Sequence, residues 1–123
     1  MSKTKSTISR ESNLKEPNSK RQKLAKCIKV EFNNLELLEV AITHKSYGNE
    51  RRTERDGASK DNERLEFLGD AVLDLIVSEM LVQKHTSFEE GELSKFRASL
   101  VNEKTLAAVA RDLELGDYVL LGK

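Results

Sequence analysis

Between Glu63 and Val82 the chain carries its densest helical pattern. Glu63, Glu66, Asp70 and Asp74 are spaced three, four and four apart, which at helical pitch gathers them within an arc of about 80°. One or two turns further on, the same meridian becomes Val77 and Leu81, while Leu65, Leu68, Val72, Leu75 and Ile76 cover the opposite side. Beyond Asp70 the helix is apolar nearly all round, the pattern of a buried, central helix. It is predicted to start at an Asp61 or Asn62 cap and to end near Lys84. Gly69 in its interior costs about 1 kcal/mol against Ala, so a close approach of other atoms is expected there.

The flanking pattern predicts further helices. From Lys20, Leu24, Cys27, Ile28 and Glu31 or Phe32 share one side of a first helix; residues 1–19 have no apolar periodicity and read as a disordered basic tail. Leu35, Leu38, Ala41 and Ile42 predict a second helix to about His44, capped by Asn33 or Asn34. Ser46 to Asp61, with Arg51, Arg52 and Arg55, reads as a polar loop. Ser87-Phe88-Glu89-Glu90 has capping-box form, ahead of a helix from Glu90 to about Val101. A last helix, Glu103 to Asp112, is capped by Asn102, turns Leu106, Val109, Ala110 and Leu113 inward and closes at Gly116. Residues 117–123 read as an extended tail.

A chain of 123 residues has room for one domain, and with no Trp its core must be largely aliphatic. Cys27 is the only cysteine, which excludes an internal disulfide or a Cys-rich zinc site and is read as a buried, inert thiol in a reducing, cytoplasmic setting. No apolar run approaches the ~20 residues of a membrane span. The formal net charge of zero hides an asymmetry: residues 1–30 hold nine Lys/Arg against two Glu, and residues 31–123 hold twelve against nineteen acids. A basic arm precedes an acidic body, and such an arm can attract phosphates.

The acidic stripe carries the candidate chemistry. Like charges at i,i+4 destabilise a helix by about 0.2–0.5 kcal/mol per pair, so a compensating positive charge is expected. The helix dipole accounts for Glu63 and partly for Glu66, but poorly for Asp70 and Asp74, two to three turns in. The residues alone leave a solvated or salt-bridged face open beside a metal-binding or RNA-facing one.

The run Asn62-Glu63-Arg64-Leu65-Glu66-Phe67-Leu68-Gly69-Asp70-Ala71-Val72-Leu73 resembles the signature of the ribonuclease III endonuclease domain. Two further segments resemble the same family, Glu39-Val40-Ala41-Ile42-Thr43-His44-Lys45-Ser46-Tyr47 and Glu90-Gly91-Glu92-Leu93-Ser94-Lys95-Phe96-Arg97-Ala98-Ser99-Leu100-Val101. The resemblance runs from about Leu24 to Lys123. It implies an all-α fold, incomplete at the C-terminal end, with residues 20–123 forming a truncated endonuclease domain. The family's later Asp-x-x-Glu-Ala helix and its double-stranded-RNA-binding domain have no counterpart here.

The same resemblance implies a double-stranded-RNA endoribonuclease that matures rRNA precursors and mRNA, with no membrane and no small-molecule cofactor. Glu66 and Asp70 would hold Mg²⁺, for which Mn²⁺ can substitute, with both residues catalytic. Glu63 and Glu90 match positions facing the RNA-processing centre. Phe67 lies about 60° from Asp70 on the polar side of the wheel; its family equivalent inserts into the other subunit of a homodimer. His44 is read as structural, because the family uses no His as general base. The alternative is a non-catalytic module that dimerises or binds RNA without cutting.

Overall fold

The computed structural model describes residues 16–50 and 60–123, and among these the secondary structure is helical apart from one isolated bridge. The order is α1 (Glu16–Cys27), α2 (Leu35–Ala41), α3 (Lys45–Glu50), α4 (Glu63–Lys84), α5 (Glu90–Leu100), α6 (Glu103–Asp112) and a 3-10 turn, Leu115–Asp117. The all-α expectation holds. No helix among the described residues is long and apolar enough to cross a membrane. Arg51, Arg52 and Arg55 and the tail up to residue 15 lie outside the described residues.

α1 begins at Glu16, ahead of the expected Lys20. Leu24 (1% exposed) and Ala25 pack with Leu38 of α2, and Ile28, Phe32, Leu35, Ile42, Leu115 and Tyr118 close around them. Arg21 clips the two helices together through Glu39 at 2.9 Å. Cys27, expected to be buried, is exposed. At 100° per residue the inward direction set by Leu24, Ala25 and Ile28 lies roughly 100° from Cys27, so the thiol falls at the helix edge.

α1 ends with the Val30 N–H donating to the Ala25 carbonyl at 3.0 Å and the Lys29 N–H to Lys26 at 3.2 Å. Lys29 takes the left-handed conformation, φ 57°. This is the pattern of a Schellman cap, with lysine in the place usually held by glycine.

α2 is shorter than the apolar pattern suggests because the C-terminal tail captures the backbone beyond it. The Leu120 N–H donates to the Ile42 carbonyl (2.8 Å) and the His44 N–H to the Leu120 carbonyl (2.9 Å), forming a parallel bridge at Thr43. The His44 carbonyl then accepts from Tyr47 (3.0 Å) and Gly48 (3.1 Å) and starts α3 inside the stretch expected to be loop. A six-residue helix without a buried residue leaves no hydrophobic period to read.

α4 packs mainly on α5. Leu81, 5% exposed, is its one buried side chain, and Arg97 Nη1 donates to the Ser78 hydroxyl at 2.8 Å. His85 stacks on Phe88 with centroids 4.6 Å apart and meets Phe96 at 5.1 Å, closing the turn between the helices. α5 is capped by Glu92, whose Oε2 accepts the Glu89 N–H at 3.0 Å. The expected box from Ser87 therefore sits two residues early. Asn102 caps α6 as expected, its Oδ1 accepting from Thr105 at 2.9 Å.

Four expectations are corrected. α4 is not buried on all sides: Leu68, Val72, Leu75, Ile76, Met80 and Val82 are exposed, because α5 covers only the meridian of Val77 and Leu81. A Cβ at Gly69 would meet nothing within 4 Å, so no close approach calls for that glycine. Gly116 lies within the 3-10 turn, and the left-handed residue after α6 is Glu114, φ 53°. Leu106 and Val109, expected to face inward, are also exposed.

Candidate active site

The N-terminus of α4 is held from two directions. Asp61, 7% exposed, accepts the Glu63 N–H on Oδ1 at 3.1 Å. Asn62 occupies the cap position without a side-chain capping bond; instead its N–H donates to the Thr43 carbonyl at 2.9 Å and its Nδ2 to the Ala41 carbonyl at 3.2 Å. Both residues that the sequence offered as caps are thus used, Asp61 for the helix and Asn62 for the turn after α2. The helix proper opens with the Glu66 N–H on the Asn62 carbonyl at 2.8 Å.

Glu63 pairs with Lys45 Nζ at 3.0 Å, with both side chains 55% exposed. An exposed pair of this kind contributes about 0–1 kcal/mol. Among the described residues it answers the expected compensating charge for the first acid of the stripe. Glu66, Asp70 and Asp74 are exposed, about one, two and three turns along the same face. Phe67 is 83% exposed beside them, on the rim of an open groove of about 630 Å³ lined also by Val40, Asp61, Leu65 and Leu68.

Glu90 opens α5 at the opposite end of α4 from Glu66, with its Oε1 accepting the Ser94 hydroxyl at 2.8 Å. The rise from Glu66 to Lys84 is about 27 Å. Within one chain, Glu63, Glu66, Asp70 and Phe67 are neighbours and Glu90 is apart. Among the described residues, no three His, Cys, Asp or Glu side chains converge to hold a metal ion. Two carboxylates one turn apart still suit Mg²⁺, which takes one or two carboxylates and completes its octahedron with water and substrate oxygens.

A family model described as ribonuclease-III-like matches residues 34–123. The chain belongs to the ribonuclease-III-like family. Ribonuclease 3 of Borreliella afzelii is 47% identical over 96 residues, which cover 78% of this chain and 38% of that protein. Ribonuclease 3 of Bacillus velezensis is 51% identical over 96 residues, 78% of this chain and 37% of that one. Among solved structures, a nuclease domain of ribonuclease III from Campylobacter jejuni, described as flexible in a region involved in dimer formation, superposes with TM-score 0.70 at 48% identity. That match covers 82% of this chain and 64% of the Campylobacter chain. The chain thus spans about two fifths of the length of the curated relatives it matches.

In this ribonuclease-III-like chain the signature segment forms the cap and first turns of α4, and the Thr43-His44-Lys45-Ser46 run forms the turn that holds that cap. His44 works through its backbone, at the bridge and at the start of α3, and through Nδ1, which accepts the Ser46 N–H. Thr43 and Lys45 were missed by sequence reasoning as supports of the site, whereas Asp61 was expected as a cap and serves as one. Lys45 and Glu63 are eighteen residues apart, across a segment without periodicity, so no local signal joins them.

Proposed function

We propose that the chain carries the first carboxylate pair of a metal-dependent double-stranded-RNA endoribonuclease, acting in RNA maturation in the cytoplasm as a homodimer. The carrying observation is the placement of Glu66 and Asp70 one turn apart on an exposed helix face, in a chain near 50% identical to proteins named Ribonuclease 3. Glu66 and Asp70 would hold Mg²⁺ or Mn²⁺. Bound there, the ion supplies an activated water and charge relief on the phosphate.

The chain's own residues orient this pair. Asp61 and Asn62 fix the start of α4, and Lys45 pairs with Glu63 at the head of the stripe. Exposed Phe67 beside the carboxylates is proposed as the anchor of a two-fold contact, which would present two sites to opposite strands of a duplex. Such a pair of sites would recognise the duplex by its A-form shape and 2′-hydroxyls.

Mn²⁺ titration watched by NMR line broadening tests the reading: broadening centred on Glu66 and Asp70, lost in Asp70→Asn, is expected. Broadening spread over all acids and unchanged in Asp70→Asn would refute it. A second reading, a module that binds or dimerises without cutting, is favoured by the lack of a third converging ligand among the described residues. Duplex-RNA cleavage with Mg²⁺, with an Asp70→Asn control, separates the two readings. Asp70-dependent cutting would exclude the non-catalytic reading.

A further inference from the structure

The tail after the 3-10 turn runs back across the Ile42–Glu50 segment with a sequence separation of more than seventy residues. Beyond the bridge at Thr43, the Gly122 N–H donates to Ser46 Oγ at 2.9 Å and the Lys123 N–H to Glu50 Oε1 at 2.8 Å. Ser46 Oγ also lies 2.7 Å from His44 Nδ1, which accepts the Ser46 N–H at 3.2 Å. A Cβ at Gly122 would stand 2.7 Å from both the carbonyl carbon and oxygen of Ser46. Backbone atoms cannot swing aside as a side-chain tip would, so glycine is required for the tail to lie down here.

The turn that receives the tail is the same one that holds α4. Its Thr43 carbonyl takes the Asn62 N–H and its Ala41 carbonyl the Asn62 side chain, and Asn62 in turn starts the helix that carries Glu66 and Asp70. We propose that Ser46 and Gly122 form a latch through which the C-terminal tail positions the first carboxylate pair. Both are positioning residues: neither reaches the carboxylates, and each acts through Thr43 and Asn62. The metal half of this inference rests on the function proposed above; the mechanical half does not.

The test uses the whole chain with Gly122→Ala, Ser46→Ala and Ser46→Thr, each read by NMR amide exchange and by Mn²⁺ broadening at Asp70. Losing one such hydrogen bond changes an opening equilibrium roughly two- to tenfold. Gly122→Ala and Ser46→Ala are expected to accelerate exchange at Leu120 and also at Asn62 and Glu66 by that factor. Exchange at Leu93 and Leu106, in α5 and α6, should be unchanged. The Mn²⁺ midpoint at Asp70 should rise several-fold in both variants, and Ser46→Thr, which keeps the hydroxyl, should restore it.

Release of Leu120 with Asn62 unchanged would overturn the latch, as would equal acceleration throughout α5 and α6 in Ser46→Ala, which would mean a loss of global stability. A freed Asn62 with an unmoved Mn²⁺ midpoint would overturn its role in positioning the pair. If the unsubstituted chain shows no broadening centred on Asp70, the metal reading fails instead, and the Leu120–Asn62 coupling still decides the latch.

Discussion

Leu75 and Leu81 lie on the same helix, six residues apart, in a segment whose apolar pattern treats them alike. The structure does not, because Leu75 is 69% exposed and Leu81 only 5%. Burying a leucine side chain fully is worth about 1.5–3 kcal/mol, and truncation in a packed site adds a cavity term. Leu81→Ala is therefore expected to destabilise by about 2–4 kcal/mol. With under a third of its surface covered, Leu75→Ala should cost about 0.5–1 kcal/mol at most, partly offset by the higher helix propensity of alanine.

Urea unfolding at equal protein concentration, followed by far-UV circular dichroism, gives both numbers from the shift in midpoint at constant slope. The comparison is internal, since both variants remove the same atoms from the same helix. Equal losses would refute the reasoning: they would mean that the Leu75 face of α4 is covered in solution, and that the buried central helix implied by periodicity exists after all.

Lys29 holds a left-handed conformation that costs an L-residue about 1–2 kcal/mol, so Lys29→Gly should stabilise by up to about 1 kcal/mol after the entropy of glycine is subtracted; a lower melting temperature would contradict the cap geometry. Asn102 caps α6 and also donates through Nδ2 to the Ala98 and Ser99 carbonyls at 3.0 and 2.9 Å, so Asn102→Ala should cost about 1–2 kcal/mol in the same urea assay. Cys27 is exposed and should be labelled by a maleimide in the native protein as fast as in urea; protection of a hundredfold or more would restore the buried reading.

Local signals in the sequence were enough to find α4, α5 and α6, the Asn34 and Asn102 caps, and the shared face of Glu63, Glu66 and Asp70. These features depend on spacing along a single helix or on a side chain reaching its own backbone a few residues away, and such distances are fixed by helical geometry. The long signature around Glu66 and Asp70 also carried the family.

What the pattern of residues left open was decided by contacts between distant segments. Periodicity states that α4 is apolar on every side but not which side is covered, and only the packing of α5 selects Leu81 over Leu75. The early end of α2, the helix at Lys45–Glu50 and the seating of Asn62 arise from hydrogen bonds to the tail and across the Thr43 turn. Backbone groups of nearly any residue can make such bonds, so they leave no mark in residue type, and Gly122 is the exception because the approach of Ser46 leaves no room for a side chain.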